Sequence, residues 1–277
     1  MLIREIIHSL NYPLPDSSTP VLDRELMLSL VLASPREQLY TNGDRCLTER
    51  QMEDWQQLYQ RRLSGEPMAY LLGYRDFWNQ RLMVNHSVLI PRPETEGLVE
   101  LLLREIRLQE AIVADLGTGS GAIGIALASE RLSWQVWATD LNQEALSVAR
   151  YNAEQFKLKN MHFSWGNWLT ALPNFTKLDA IVANPPYLAQ DDPHLNSSIR
   201  FEPSSALVAA QDGFADLFDI IKHARSYLKF GGILALEHGC QQAERLSTFW
   251  RDVEGYDTVT TELDIAGLPR ISWARRA

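Results

Sequence analysis

The sequence contains few of the features that mark secreted, membrane or metal-binding proteins. Its two cysteines, Cys46 and Cys240, stand far apart, which excludes a disulfide framework and a thiolate metal site. No apolar run approaches the roughly 20 residues that a membrane-spanning helix needs, and residues 1–5 lack the basic and apolar regions of a signal peptide. His194 has no second histidine, cysteine or carboxylate pair at a suitable spacing. We therefore expect a cytoplasmic protein that binds neither a membrane nor a metal ion.

Positive charge is scarce as well. The 277 residues include 26 Lys and Arg against 35 Asp and Glu, which gives a formal net charge of −9. This balance opposes broad electrostatic attraction to nucleic acid. The length and the 45% hydrophobic content are sufficient for a substantial core in one large or two ordinary domains.

Residues 1–73 have the pattern of a small helical domain. An apolar stripe predicts a first helix, Thr19 before Pro20 predicts the start of a second, and Thr48 begins the capping box of a third that ends near Gly65. We interpret this domain as one that recognises a partner, and an extension that only packs against the rest of the chain is the alternative. The stripe consists of Leu2, Ile6, Ile7 and Leu10.

Residues 74–90 differ in character from the helical region before them. Apolar residues at 77–78 and 82–84 flank the polar Asn79-Gln80-Arg81, which predicts a β-hairpin that links residues 1–73 to a second domain at 91–277. Arg92 follows between two prolines that hold it extended. A position near a ligand is one interpretation, and a surface arginine is the one that this pattern alone favours. A helix is expected to begin at Glu94 or Thr95.

The next segment has the pattern of a nucleotide-binding βαβ unit. A strand at 111–116 leads into the glycine-rich turn Gly117-Thr118-Gly119-Ser120-Gly121, and a second strand ends at Asp140. Glycines in such a turn let a ligand approach the backbone. A carboxylate after the second strand commonly accepts both hydroxyls of a ribose. We therefore predict a cofactor site formed by this turn and Asp140.

The choice of cofactor depends on Asp115. Residues 119–124 satisfy the dinucleotide fingerprint, yet an isolated match of this kind is weak evidence. Asp115 lies two residues before Gly117, where its charge repels a pyrophosphate and suits a cationic ligand. S-adenosylmethionine carries a sulfonium and an ammonium group and no phosphate. We therefore predict a methyl donor rather than NAD.

The chemistry is predicted at the end of a fourth strand. Residues 178–183 are mostly apolar, and Asn184-Pro185-Pro186-Tyr187 stops the strand because proline has no backbone N–H. A side-chain amide, constrained carbonyls and an aromatic ring then stand at the carboxyl end of a strand, where open α/β sheets bind ligands. Such carbonyls can hold an –NH2 group. A strand stopped by proline, with Tyr187 in the core, is the alternative.

The remaining segments continue the α/β alternation. Trp168 follows a predicted strand at 161–165 and is interpreted either as a core residue or as a platform for adenine. Residues 188–212 have the pattern of a lid or binding loop. The later elements are predicted as helices at 142–156, 213–230 and 241–253 and as strands at 233–236, 258–263 and 269–273.

The glycine-rich turn, Asp140 and Asn184-Pro185-Pro186-Tyr187 resemble the motifs of class I S-adenosylmethionine-dependent methyltransferases that act on –NH2 nitrogens. Further segments resemble the release factor glutamine methyltransferases (PrmC, formerly HemK), and this likeness covers nearly the whole chain. It implies a Rossmann-like methyltransferase domain with a small N-terminal helical bundle. The segments are Gly65-Glu66-Pro67, Phe77-Trp78, Ile90-Pro91-Arg92-Pro93-Glu94-Thr95-Glu96, Phe201-Glu202-Pro203 and Leu236-Glu237-His238-Gly239.

The resemblance also implies a substrate, namely the side-chain nitrogen of the glutamine in the Gly-Gly-Gln motif of class I peptide chain release factors. Asn167 departs from the family, which often has Asp there, and Leu268-Pro269-Arg270 replaces an acidic residue followed by Arg. A monomer is expected. Carried over by position, the cofactor contacts are Asp115, Gly117 to Gly121, Asp140 and Trp168, and the substrate contacts are Asn184, Pro185, Pro186 and Tyr187, with Asn184 touching both ligands.

This assignment agrees with the chemistry that an amide substrate needs. An amide nitrogen is a poor nucleophile because its lone pair is delocalised into the carbonyl. If the Asn184 side-chain oxygen and the Pro185 carbonyl each accept one N–H, the –NH2 group is fixed and its lone pair can face the methyl group. Orientation of this sort lowers a barrier by on the order of 7–11 kcal/mol in ideal cases. No general base stands in the motif, so the proton leaves to water or to a neighbour.

Other functions stay open at this point. A ribosomal-protein glutamine methyltransferase shares the Asn-Pro-Pro-Tyr motif, and so does a nucleic-acid adenine methyltransferase, which the net charge of −9 disfavours. An NAD(P)-dependent oxidoreductase is supported only by the literal glycine fingerprint. A non-catalytic binding module leaves Asn184-Pro185-Pro186-Tyr187 without a purpose.

Overall fold

The computed structural model describes residues 1–173 and 177–277, which form two compact units. The first unit comprises Met1–Tyr74 together with Pro193–Phe201. The second comprises Arg75–Asp192 together with Glu202–Ala277. Each unit is therefore assembled from two separate stretches of the chain.

The first unit consists of helices around one apolar core. The predicted capping box is present, because the Thr48 hydroxyl accepts the Gln51 backbone N–H at 3.2 Å and the Gln51 side chain accepts the Thr48 N–H at 3.1 Å. Trp55 and Tyr59 stack in the core with their ring centroids 5.4 Å apart. The helices are α1 (Ile3–Ile7), α2 (Pro20–Leu32), α3 (Arg36–Thr41), α4 (Glu49–Leu63) and α5 (Met68–Leu72).

Three details of this unit differ from the sequence prediction. Leu10 is 94% exposed, because α1 ends at Ile7 before another turn can bring Leu10 onto the buried stripe. Thr19 precedes the helix start at Pro20, but its side chain caps no backbone N–H. The helices α3 and α5 were not predicted, since five or six residues are too few to show a helical period.

The segment Pro193–Phe201 packs within this first unit. Arg200 donates from Nη2 to the Ser64 carbonyl at 2.6 Å, and Gly65 lies against Arg200 and Phe201. The loop predicted at 188–212 is therefore not uniform. It contains three short 3-10 helices, Pro193–Asn196, Ser198–Phe201 and Ser204–Ala206.

The second unit is organised by a seven-stranded sheet of order β5-β4-β3-β6-β7-β9-β8. Its strands are β3 (Ile112–Leu116), β4 (Gln135–Asp140), β5 (Met161–Trp165), β6 (Leu178–Ala183), β7 (Leu228–Glu237), β8 (Thr260–Leu263) and β9 (Pro269–Arg275). The strands β3 to β7 run parallel, and β9 lies antiparallel to both β7 and β8. The predicted α/β class with a Rossmann-like sheet is confirmed.

Helices cover both faces of this sheet because consecutive strand residues point to opposite sides. Val182 belongs to an apolar cluster with the helices at 96–105, 122–130 and 143–155, whereas the neighbouring Ile181 belongs to a cluster with the helices at 215–224 and 243–251. Both side chains are fully buried. The helices are α6 (Glu96–Glu105), α7 (Ala122–Glu130), α8 (Gln143–Gln155), α9 (Ala210–Gly213), α10 (Ala215–Ala224) and α11 (Ala243–Arg251).

Two predicted elements of this unit need correction. The hairpin is present as β1 (Tyr74–Phe77) and β2 (Gln80–Met83), but its turn lies at Trp78 and Asn79, so Gln80 and Arg81 belong to a strand. The helix predicted to reach residue 230 ends at Ala224, and β7 already begins at Leu228. From the sequence, Gly231 and Gly232 were predicted to end the helix, but in the structure both lie inside β7. Within the described ranges, no helix is long and apolar enough to cross a bilayer.

Candidate active site

The carboxyl ends of the parallel strands border a cavity of about 400 Å³ in the second unit. The strand β3 has β4 on one side and β6 on the other, so the crossovers diverge here, which is where such sheets bind ligands. The volume falls in the range of small-molecule sites. Its walls are formed by Ser87, Val88, Leu89, Gly117, Gly119, Asp140, Leu141, Asn142, Ala145, Gly166, Asn167, Trp168, Asn184, Pro186, Pro203, Ser205, Ala206, Val208 and Asp216.

The glycine-rich turn forms one wall of the cavity. Gly117 and Gly119 line the cavity directly, whereas Thr118, Ser120 and Gly121 do not. The Thr118 backbone N–H donates to the Thr139 carbonyl at 2.9 Å, which ties the turn to the end of β4. The turn therefore presents its backbone to the cavity and keeps its side chains behind it.

Asp115 anchors this turn from within the protein. Its Oδ2 accepts the Thr118 hydroxyl at 2.6 Å and the Gly124 backbone N–H at 3.0 Å. Asp115 is 1% exposed and is absent from the cavity wall. Burial raises the pKa of Asp115 to about 6, and the nearby Asp140 charge adds to that shift. The carboxylate thus shapes the turn, and its charge reaches the cavity only from behind the turn.

Asp140 stands at the cavity at the end of β4. Its Oδ2 accepts the Gly119 N–H at 2.9 Å, and its Oδ1 accepts the Asn142 N–H at 2.8 Å. Burial raises the pKa of Asp140, although these backbone donors oppose the shift. Each oxygen has a second lone pair that can accept a hydroxyl. A fixed carboxylate of this kind suits the two hydroxyls of a ribose.

Trp168 lies against the glycine-rich turn. A Cβ on Gly117 would lie 2.8 Å from Cζ3 of the indole, so only glycine lets the ring pack this closely. The indole N–H donates to Asp216 Oδ1 at 3.0 Å, and Trp168 has a positive φ of 41°. Asp216 was not predicted, because no local motif links it to Trp168 across 48 positions. The ring therefore has a fixed position at the cavity, and Asn167 lines the cavity next to it.

Asn184-Pro185-Pro186-Tyr187, the NPPY segment, follows β6 and borders the same cavity. Asn184 and Pro186 line the cavity, whereas Pro185 and Tyr187 do not. Asn184 Nδ2 donates to the Thr95 hydroxyl at 3.2 Å. Burial raises the pKa of Tyr187 to about 12, so its hydroxyl is neutral at physiological pH.

The far end of the NPPY segment is held by a buried glutamine. Gln242 Nε2 donates to the Tyr187 carbonyl at 3.1 Å and to the Gly213 carbonyl at 3.3 Å, and its Oε1 accepts the Gly239 N–H at 2.8 Å. Gly213 has a φ of +85°, and a Cβ there would lie 2.1 Å from the backbone carbonyl oxygen of Tyr187. The sequence prediction missed Gln242, although it lies close after the Leu236-Glu237-His238-Gly239 segment.

An ion pair supports the adjoining wall. Arg92 Nη2 lies 2.5 Å from Glu202 Oε1, and Glu202 Oε2 accepts the Ile90 N–H at 2.9 Å. Glu202 is buried, and it immediately precedes the wall residue Pro203. Arg92 is therefore not the surface arginine that its local pattern suggested. Two separate motifs, at 90–96 and 201–203, meet through this pair.

Metal ligands are not evident in the part of the chain that the structure describes. There, no three His, Cys, Asp or Glu side chains are grouped closely enough to hold an ion. The polar groups of the cavity wall are carboxylates, amides and backbone atoms, and these suit an organic ligand with hydroxyls and a positive charge.

The chain is similar to known proteins over both units. Residues 11–73 match the PrmC N-terminal domain, and residues 95–213 match the Methyltransferase small domain. A release factor glutamine methyltransferase of Vibrio cholerae is 46% identical over 257 residues, which cover 92% of this chain and 90% of that protein. One from Coxiella burnetii is 46% identical over 261 residues, 94% of this chain and 93% of that protein.

A solved structure shows the same fold at low identity. A methyltransferase from Pyrococcus furiosus superimposes with a TM-score of 0.54 at 18% identity, over 78% of this chain and 96% of that one. This likeness concerns the fold alone. The identities to the Vibrio and Coxiella proteins, by contrast, extend along nearly the full length of the chain.

Proposed function

The chain belongs to the release factor glutamine methyltransferase family, and from this premise we propose that it methylates the side-chain amide nitrogen of a release factor glutamine. The glutamine is the one in the Gly-Gly-Gln motif of class I peptide chain release factors, and S-adenosylmethionine is the methyl donor. The observation that carries the proposal is the position of Asn184. Asn184 lines the same cavity as Gly117, Gly119 and Asp140.

The cavity residues fit the proposed donor. Asp140 provides two fixed oxygens for a ribose, Trp168 provides a ring for adenine, and the turn at 117–121 presents backbone without a bulky side chain. Asp115 adds negative charge behind that turn, which suits a cationic ligand. When bound, the donor supplies an electrophilic methyl group on a sulfonium.

The NPPY segment is proposed to orient the acceptor. The Asn184 side-chain oxygen and the Pro185 carbonyl each accept one N–H of the glutamine amide, which turns the nitrogen lone pair toward the methyl group. Tyr187 and Pro186 flank the planar amide. As the new N–C bond forms, the S–C bond breaks, and the nitrogen then loses one proton to water. Asn184 thus acts by orientation rather than as a general base.

The helical unit is proposed to recognise the release factor. It carries no residue of the cavity wall, and its sequence matches the PrmC N-terminal domain over residues 11–73. A recognition role explains why a separate helical core, built around Trp55 and Tyr59, accompanies a complete cofactor cavity in the second unit. Within this proposal, residues 1–73 set the affinity for the acceptor protein and residues 91–277 carry out the transfer.

Methyl-labelled S-adenosylmethionine tests the proposed function. The protein is incubated separately with a class I release factor, a ribosomal protein mixture and DNA. We expect label in the release factor and none in a release factor whose Gly-Gly-Gln glutamine is replaced by alanine. Label that appears in the ribosomal proteins or in DNA, with none in the release factor, contradicts the proposal.

A further inference from the structure

Asn184 is hydrogen-bonded to Thr95 and lies next to Glu237, two residues that are far from it in the sequence. Thr95 precedes α6, and Glu237 is the last residue of β7. Because β7 pairs in parallel with β6, through Ala183 and Leu236, Glu237 ends next to Asn184. The Thr95 hydroxyl accepts the Asn184 Nδ2–H at 3.2 Å. Burial raises the pKa of Glu237, and Thr95, as a hydrogen-bond donor to the Glu237 carboxylate, opposes that shift. Thr95 therefore bridges the amide and the carboxylate.

The chemistry of these groups gives the bridge a direction. An ionised carboxylate only accepts hydrogen bonds, so the single Thr95 hydroxyl proton points to Glu237. The oxygen lone pairs of Thr95 then face Asn184 and require a donor there, which the amide provides through Nδ2. The amide oxygen is consequently turned away from Thr95. It is this oxygen that an incoming –NH2 group needs.

We propose that Thr95 and Glu237 are positioning residues that fix the Asn184 amide with its oxygen, rather than its –NH2 group, toward the glutamine substrate. This inference rests on the proposed function. A reversed amide presents two donors to a substrate nitrogen that also carries two N–H groups, and no hydrogen bond forms between them. The direction of one buried hydrogen bond thus decides whether the acceptor binds in a productive orientation.

The burial of Glu237 supports this role. The side chain is 1% exposed, and its Oε2 has no partner among the residues that the structure describes. A buried carboxylate with so few partners costs stability, which is typical of a residue kept for function. Arg270 on β9 and Arg92 favour its ionised form, and Glu94 opposes it. Burial dominates and raises the pKa of Glu237 to about 7.

Protonation of Glu237 reverses the bridge. A neutral carboxyl can donate to Thr95, whose hydroxyl proton is then free to point to Asn184. In that arrangement the amide turns its oxygen to Thr95 and its –NH2 group to the substrate, whereas only the ionised carboxylate fixes the productive orientation. Turnover is therefore expected to fall as the pH is lowered through the pKa of Glu237.

Paired substitutions at Thr95 test the bridge. Thr95→Val keeps the shape and removes the hydroxyl, and we expect kcat to fall by about 100-fold, as for a misplaced reacting group. Thr95→Ser restores the hydroxyl, and kcat is expected within about threefold of the wild type. Donor affinity, measured by calorimetry, is unchanged in both variants. Wild-type turnover in Thr95→Val, or an equal loss in Thr95→Ser, overturns the inference.

Glu237→Gln provides the second test. Glutamine keeps an oxygen for Thr95 but does not titrate, so the fall of kcat near pH 7 should disappear. The melting temperature of Glu237→Gln minus that of the wild type should be larger at about pH 8 than at about pH 5. The reason is that burial penalises the ionised form of Glu237, which only the wild type has at about pH 8. A merely structural residue gives a lower melting temperature and an unchanged pH profile. That result overturns the inference.

A readout that needs no acceptor separates this inference from the proposed function. In NMR spectra of protein with labelled asparagine, the Asn184 side-chain N–H that faces Thr95 should exchange slowly in the wild type and fast in Thr95→Val. Equal exchange in the two proteins contradicts the bridge whatever the substrate is. Slow exchange with no methylation of any release factor instead contradicts the proposed function alone.

Discussion

The glycine-rich turn and the NPPY segment border the same cavity but are held in different ways. Asp115 fixes the turn through Thr118, three positions away, and Gly124, nine positions away. The NPPY segment depends on Thr95, which is 89 positions from Asn184, and on Gln242, which is 55 positions from Tyr187. Asp115 therefore holds the glycine-rich turn through contacts close in the sequence, whereas the NPPY segment depends on side chains that are distant in the sequence.

The two regions should also differ in what they control. The turn and Asp140 contact the proposed donor, so changes there should act mainly on donor binding. The NPPY segment orients the acceptor amide, so changes there should act mainly on turnover. Substitutions in each region test this difference.

The largest effect is expected from Gly213→Ala. The added Cβ would lie 2.1 Å from the Tyr187 oxygen, and because that atom is backbone, the NPPY segment must shift. We expect kcat to fall by about 100-fold or more and the free energy of unfolding to fall by about 2 kcal/mol or more. Steady-state kinetics and urea unfolding provide the two measurements.

Gly267→Ala is the matched control for this change. Gly267 also has a positive φ, +77°, but no atom lies within 4 Å of the added Cβ. It should lose only about 1–2 kcal/mol of stability through backbone strain and keep its turnover. Normal turnover in Gly213→Ala would show that the position of the Tyr187 carbonyl does not matter.

A smaller effect, on binding, is expected from Asp140→Ala on the donor side. The change removes the acceptor for two ribose hydroxyls, and hydrogen bonds to a charged group contribute about 1.5–3 kcal/mol. The KM for S-adenosylmethionine should rise by roughly 10- to 100-fold, while kcat at saturating donor changes by less than about threefold. A loss that falls mainly on kcat would remove the functional distinction between the two regions.

The smallest effect concerns Asp115 and pH. The pKa of Asp115 is raised from 3.8 to about 6 in the folded protein, so between these values the native state binds more protons than the unfolded state. The free energy of unfolding therefore decreases as the pH rises through this window. Asp115→Asn keeps an oxygen for Thr118 and Gly124 and removes the buried charge.

Thermal unfolding at two pH values tests this prediction. The melting temperature of Asp115→Asn relative to the wild type should be higher by about 2–4 °C at about pH 8 than at about pH 5. The electrostatic role of Asp115 behind the turn also predicts weaker donor binding in this variant. If the melting temperature of Asp115→Asn relative to the wild type is the same at both pH values, Asp115 is ionised at no cost in the folded protein.

The contrast between the regions explains how much the sequence could predict. The strands at 161–165 and 178–183, the capping box at Thr48 and the βαβ unit have periodic or short-range signals, and the structure contains each of them. The predictions for Leu10 and for the end of α10 were wrong, because a sequence pattern indicates the type of an element more reliably than the residue at which it ends.

The support of the site could not be predicted in the same way. Asp216, Gln242 and the bridge from Thr95 to Glu237 depend on side chains that meet only when β6, β7 and α10 are in place. Thr95 and Glu237 lie in segments that resemble the family, but that resemblance assigns no role to either residue. Only their contact in the folded protein indicates what they do together.

Single-turnover transfer by Asn184→Ala tests the central claim most directly. Enzyme preloaded with labelled donor is mixed with excess release factor, and the modified residue is located by mass-spectrometric fragmentation. We predict label on the Gly-Gly-Gln glutamine with the wild type, a rate lower by at least about 100-fold in Asn184→Ala, and nearly unchanged donor binding. The exposed Asn79→Ala serves as the control and should match the wild type. A wild-type rate in Asn184→Ala would contradict the orienting role of the NPPY segment.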